Sequence, residues 1–195
     1  MKTYFIKARH SAGKTYQMKK YEEKARAENK ESKSVIISVT EALLNQECTD
    51  MNFTCYKNSL KDLHVGTTLE SLYKYPRDTV PNRVYLDEFC SIRKCFDSYT
   101  TSKNHNKIIA TFKWIIKYCK HLIVMDADLS MDDVNLINSI RQDEKAEYID
   151  YQIIHNPLYY LITDEREKLT GHLYKELEKG KKVGIAVFLR LLEFL

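Results

Sequence analysis

Ala8-Arg9-His10-Ser11-Ala12-Gly13-Lys14-Thr15 stands between an apolar run at residues 4–6 and a helical pattern over residues 14–29. Strand, glycine-bearing turn and helix, in that order, are what a phosphate-binding loop requires. The first N–H groups of a helix have no intrahelical partner, and the helix dipole adds positive potential there, so the position favours an anion. Ser11, Ala12 and Gly13 would present their backbone to a nucleotide, with Gly13 letting the chain pass close to the phosphates. Lys14 would neutralise the β- and γ-phosphates and so serve catalysis, while the Thr15 hydroxyl would ligate Mg²⁺. The competing reading is a solvated turn that contains Gly-Lys-Thr by chance.

Working outward, short apolar runs alternate with longer helical patterns, which predicts an α/β fold with a mostly parallel sheet and helices on both faces. Residues 35–39 (VIISV) read as a strand, followed by Thr40 as the cap of a helix that turns Leu43 and Leu44 inward. Residues 83–89 and 121–125 read as further strands, with a helix between them over residues 107–120 that places Phe112, Ile115, Ile116 and Cys119 on one face. Ser130 and Asp133 have capping-box spacing, so a helix is expected from Met131 to about Arg141. The charged stretch RQDEKAEY follows, then a strand at residues 151–154, a helix over 169–178 capped by Gly180, and a strand at 183–188.

Two of these strands end in acids. VYLDE at residues 84–88 supplies the carboxylate pair that a nucleotide site needs, with Asp87 assigned to Mg²⁺ and Glu88 to the attacking water. An Asp-Glu pair after a strand is by itself more often a loop start or a helix cap. Its pairing with the Gly-Lys-Thr turn gives it chemical meaning, because each motif is of use only with the other. Asp126 and Asp128 follow the strand at 121–125. They are either a strand end and helix cap, or a motif beside the γ-phosphate that couples hydrolysis to movement of DNA.

The composition sets bounds. A chain of 195 residues, 44% hydrophobic and 30% charged, is globular, and the net charge of +4 permits a nucleic-acid partner without requiring one. No apolar run approaches the ~20 residues that cross a bilayer, so no membrane partner is expected. Five cysteines without a CxxC pair point to reduced thiols inside a cell, and the six histidines show no metal-ligand spacing.

In order, ARHSAGKT (8–15), SVIISVTEALL (34–44), LESLYKY (69–75), VYLDEF (84–89), IVMDADLS (123–130) and GKKVGIAV (180–187) span almost the whole chain. Together they resemble the replication origin-binding proteins of herpesviruses and related large-DNA-virus helicases, within helicase superfamily 2. The Gly-Lys-Thr and Asp-Glu motifs are shared by many ATPases. LESLYKY and the MDADLS strand end are the more particular pieces, the latter lying where ordinary helicases carry a Ser/Thr-Ala-Thr motif. Ala8 agrees with that superfamily, whereas Ser11 stands where its members usually have glycine.

The resemblance implies a RecA-like P-loop ATPase lobe that takes ATP and Mg²⁺, with Thr40 and Ser71 touching single-stranded or origin DNA at its rim. Each of the two is also a candidate helix cap. It further implies a second RecA-like lobe supplying arginines. Residues 1–155 would then be the first lobe, 156–182 a connecting segment and 183–195 the truncated start of the second, with little activity in such a fragment alone. Its cellular place would be intracellular, the nucleus for a eukaryotic or nuclear-virus source. The alternatives are a remnant that binds nucleotide or a partner without turnover, and a P-loop nucleoside kinase with residues 92–99, including Arg93 and Lys94, as its lid.

Overall fold

The structure is a computed structural model that describes residues 1–9, 13–96, 103–141 and 146–151, together with Lys175, Glu178 and Lys179. The chain divides into two compact units, Met1–Ile153 and Ile154–Leu195, and the sheet and its helices belong to the first.

Seven strands form one sheet in which every pairing is parallel. In chain order they are β1 (Lys2–Ala8), β2 (Ser34–Ser38), β3 (Thr54–Cys55), β4 (His64–Thr68), β5 (Arg83–Leu86), β6 (His121–Asp126) and β7 (Ala146–Tyr151). Their order across the sheet is β3-β4-β2-β5-β6-β1-β7. The helices are α1 (Lys14–Glu28), α2 (Glu41–Met51), α3 (Phe89–Cys95), α4 (His105–Tyr118) and α5 (Met131–Arg141), with a 3-10 helix at Leu69–Lys74.

Strand alternation sends one set of side chains to each face. Val35, Ile37, Val84, Leu86, Leu122 and Val124 pack against α3, α4, α5 and the 3-10 helix in the larger core. Ile36, Tyr85, Ile123 and Met125 face Met18 of α1 and Leu44, Cys48 and Met51 of α2. Helices therefore cover both faces, as a parallel sheet with continuous apolar strands demands.

Several expectations need correcting. β5 stops at Leu86, short of residue 89, because Glu88 takes a left-handed backbone (φ 53°, ψ 49°) and α3 begins at Phe89. β3, of two residues, and β4, interrupted by Gly66, were not expected. β7 begins at Ala146, so part of the charged stretch is strand and the run expected at 151–154 starts earlier. Such an edge strand, exposed on its described side chains, shows little apolar signal. Ser71 lies inside the 3-10 helix and not at its cap, which is Thr68. The expected helix at 169–178 and strand at 183–188 lie outside the described residues, apart from Lys175 and Glu178, which are helical.

Candidate nucleotide site

All strands being parallel, their carboxyl ends share one edge of the sheet, where α/β proteins bind ligands. β1 lies between β6 and β7, and β5 lies one strand beyond β6. Gly13 and Lys14 after β1 and the acids after β5 and β6 thus come to the same edge although they are far apart in sequence.

Gly13 is the N-cap of α1 with φ 78° and ψ 22°, a left-handed backbone in which a Cβ is strained whatever space surrounds it. That conformation turns the chain from the loop into the helix and explains why glycine precedes Lys14. The Lys14 ammonium donates to the Ala8 carbonyl at 2.9 Å, tying the first residue of α1 to the last of β1. Thr15 is half-buried on the same turn. Ser11 and Ala12 lie outside the described residues.

Asp87 is 5% exposed. Burial raises its pKa above the ordinary carboxylate value, and the neighbouring charges of Glu88 and Asp126 push the same way. The backbone N–H of Glu88, donating to Oδ1 at 3.0 Å, and the positive charge of Lys14 oppose the rise. The phosphate-loop lysine and the strand-end acid therefore share one electrostatic environment. A divalent cation would offset both the burial and the repulsion that raise the Asp87 pKa.

Glu88 is one of two non-glycine residues with positive φ among the described residues, the other being Asn52 at the end of α2. Asparagine tolerates that conformation, whereas glutamate pays roughly 1–2 kcal/mol for it. Strain of this kind gathers at functional positions, where it aims a side chain that regular backbone would not.

Asp126 is a brace. Its Oδ2 accepts from the Cys90 N–H at 2.8 Å and its Oδ1 from the Asp128 N–H at 2.9 Å, so the end of β6 holds the first turn of α3. Asp128 is exposed beyond it. β6 ends at Asp126, so the two acids are not on one continuing strand. The capping box forms as expected: Ser130 N and Oγ both donate to Asp133 Oδ2, at 2.9 and 2.7 Å. Asp133 also pairs with Arg93 at 2.8 Å, and Ile92 is fully buried, so this part of the segment considered as a kinase lid is fixed into the fold. The Thr40 hydroxyl accepts from Leu43 N at 3.3 Å as the α2 cap and remains exposed, leaving it free to serve the rim as well.

Sequence reasoning missed Glu47. It is 2% exposed on the buried face of α2, and Ser38 Oγ donates to its Oε2. Burial, together with the charges of Asp87 and Glu88, pushes its pKa to about 8, against the pull of the Ser38 hydrogen bond. The available signal was an acid three residues after Leu44 and just before Cys48 on an otherwise apolar stripe.

A cavity of about 430 Å³ lies beneath α1, with Tyr4, Ile6, Met18, Ile123 and Met125 among its walls. Its lining is chiefly apolar and unsuited to a triphosphate's charge. Lys14, one of its lining residues, and Asp87 and Glu88 follow β1 and β5 at the carboxyl edge of the sheet. Among the described residues no three His, Cys, Asp or Glu side chains form a group that could hold a metal by themselves.

A left-handed glycine thus precedes Lys14, and two acids follow the second strand across. Residues 40–156 match the model of a family described as the origin of replication binding protein. The chain belongs to that origin-binding protein family. Among its relatives is the African swine fever virus protein named "Putative helicase/primase complex protein", 30% identical in the Pig/Kenya isolate and 29% in the Warthog/Namibia isolate. Each alignment covers 94% of this chain but only 18% of the viral protein, so this origin-binding family member spans about a fifth of the length of those relatives. Two solved structures share its fold. One is the SWI2/SNF2 ATPase core of Sulfolobus solfataricus in complex with dsDNA, at TM-score 0.53 and 19% identity, covering 70% of this chain and 31% of that one. The other is a DEAD box protein from Methanococcus jannaschii, at TM-score 0.56 and 14% identity, covering 77% and 45%. These likenesses show the α/β fold of a RecA-like helicase lobe.

Proposed function

We propose that this chain is the ATP-binding first lobe of a DNA-unwinding motor that acts in DNA replication. The observation that carries the reading is the meeting of Gly13-Lys14 with Asp87-Glu88 at one edge of the sheet, with Glu88 in a strained backbone. Lys14 would leave the Ala8 carbonyl for the β- and γ-phosphates, and Asp87 with Thr15 would hold Mg²⁺. Magnesium, when bound, neutralises charge on the phosphate oxygens. Glu88 would orient the water that attacks the γ-phosphate. Asp126 and Asp128 would pass the state of that site to α3 and α5, and Thr40 and Ser71 would touch the DNA backbone. Residues 156–182 are read as a connector and 183–195 as the start of a second RecA-like lobe. Arginines from such a lobe are commonly worth 10³-fold or more in rate, so slow hydrolysis is expected of this chain by itself. The helicase/primase name of the relatives and the family's origin-binding description support the replication role.

The test is in two parts. A fluorescent ATP analogue titrated against wild type and Lys14→Ala, with Mg²⁺ and with EDTA, should show Mg²⁺-dependent binding that Lys14→Ala removes. Phosphate release should be slow, should rise with single-stranded DNA, and should vanish in Glu88→Gln while nucleotide binding persists. Equal binding by Lys14→Ala, or turnover that survives Glu88→Gln, overturns the reading.

A further inference from the structure

Glu47 lies outside every motif in the sequence, yet its surroundings are those of a working group. The register of β2 with β5 sets Ile37 beside Leu86, so the next residues, Ser38 and Asp87, leave neighbouring strands at the same level. Ser38, fully buried, holds Oε2 of Glu47 from below, which fixes the carboxyl over the carboxyl edge of the sheet. The second oxygen, Oε1, is buried and has no hydrogen-bond partner among the described residues. A buried polar atom left unpaired is destabilising, because it has lost water without gaining a partner. Repacking that stretch of α2 with an apolar side chain between Leu44 and Cys48 would remove the cost. Asp87 and Glu88, the acids proposed for the nucleotide site, and Asp50 of α2 act electrostatically on Glu47.

We propose that Glu47 is a positioning residue of the nucleotide site, its Oε1 accepting a hydrogen bond from water bound to the magnesium of ATP·Mg²⁺. The inference rests on the nucleotide reading of Lys14, Thr15 and Asp87. It fits a cation that keeps several waters and draws only one or two carboxylates directly. Partners of this outer kind typically contribute 10–100-fold to metal affinity. Glutamine can fill the same role, because Ser38 Oγ accepts as readily as it donates and leaves the amide oxygen free for the water.

The experiment is a Mg²⁺ titration of nucleotide-analogue binding by the full chain, for wild type, Glu47→Gln, Glu47→Ala, Ser38→Ala and Lys14→Ala. Thermal unfolding without nucleotide and binding in EDTA are measured alongside. Glu47→Ala should raise the Mg²⁺ midpoint about tenfold and leave binding in EDTA unchanged, while Glu47→Gln stays within about twofold of wild type. Ser38→Ala, which frees the carboxyl without removing it, should raise the midpoint about threefold, and it carries the test if Glu47→Ala does not fold. A role confined to packing would lower the melting temperature and leave every midpoint alone, which overturns the proposal. So does a glutamine variant as impaired as alanine. In both cases loss of binding in Lys14→Ala shows that the nucleotide site itself stands. Binding that ignores Mg²⁺ in wild type removes both readings together.

Discussion

Replacing Glu22 should loosen the first unit more than any change at the nucleotide edge. Glu22 sits on α1, 1% exposed, and its carboxylate accepts from Arg83 Nε (2.7 Å) and Nη2 (3.2 Å), Arg26 Nε (2.9 Å), Tyr85 OH (2.6 Å) and Ser34 Oγ (2.9 Å). Arg83 is itself 5% exposed. In Glu22→Ala that guanidinium keeps its charge and its burial and, of its hydrogen bonds described among these residues, retains only the one to Ser32 Oγ. Breaking one side of a buried ion pair costs about 3–5 kcal/mol, a large part of the 5–15 kcal/mol that holds a typical domain together. For a unit of this size that is a fall in melting temperature of roughly 6–20 °C, readable by calorimetry or circular dichroism. Glu22→Gln keeps the shape and one acceptor and should fall between. The pH dependence has a defined sign. Burial raises the Glu22 pKa, but hydrogen bonds from Arg83, Tyr85 and Arg26 outweigh it and leave the pKa below the ordinary 4.5. Its contribution is therefore complete above about pH 4.5 and is lost as pH falls through the lower folded value. A loss under 1 kcal/mol in Glu22→Ala, or an unchanged acid limb, would refute the idea that this network clamps α1 to the sheet.

Three other outcomes are expected. A Cβ added at Gly66 would stand 2.3 Å from Cys48 Sγ and 2.8 Å from Leu44 Cδ1, so Gly66→Ala should destabilise by about 1–3 kcal/mol in urea unfolding, and adding Cys48→Ala should restore part of it. Asp126→Ala removes the acceptor of Cys90 and Asp128 and should cost about 1–2 kcal/mol, with Asp126→Asn costing less; equal stability in both would show that the brace contributes nothing. Glu47 carries the opposite pH signature to Glu22: with a folded pKa near 8 against an ordinary 4.5, its contribution falls as pH rises between those values, and Glu47→Gln should flatten that stretch of a stability–pH curve.

How much of this was legible in the sequence differs from residue to residue. The fold class followed from alternation of apolar runs and amphipathic stretches, and α2 and α5 start where their caps predicted because capping is a local interaction. The loop and the acid pair could be read because charge, glycine and spacing carry their chemistry directly. β3 has two residues and β4 contains Gly66, so neither displays a pattern until neighbouring strands pair with it. The left-handed backbone of Glu88 arises where β5 must stop and α3 begin, and nothing in VYLDEF announces it. Glu22 and Glu47 were hidden for a different reason. An acid on a helix reads as solvent-facing until the sheet supplies Arg83 to one and Ser38 to the other, from elements distant in the chain.

The position of β1 bears on the order of events during synthesis. It is made before the other strands of the unit, yet its partners in the sheet are β6 and β7, the last of those strands. Pairings between such distant segments are slow to form, because a long loop must close before any contact rewards it. A growing chain therefore carries its phosphate loop unanchored on a ribosome until residues 121–126, and then 146–151, have left the exit tunnel. Under the proposed ATP-binding role, competence to hold a nucleotide would arrive late, and a stalled or shortened chain that ends before β6 would have the signature residues without the site.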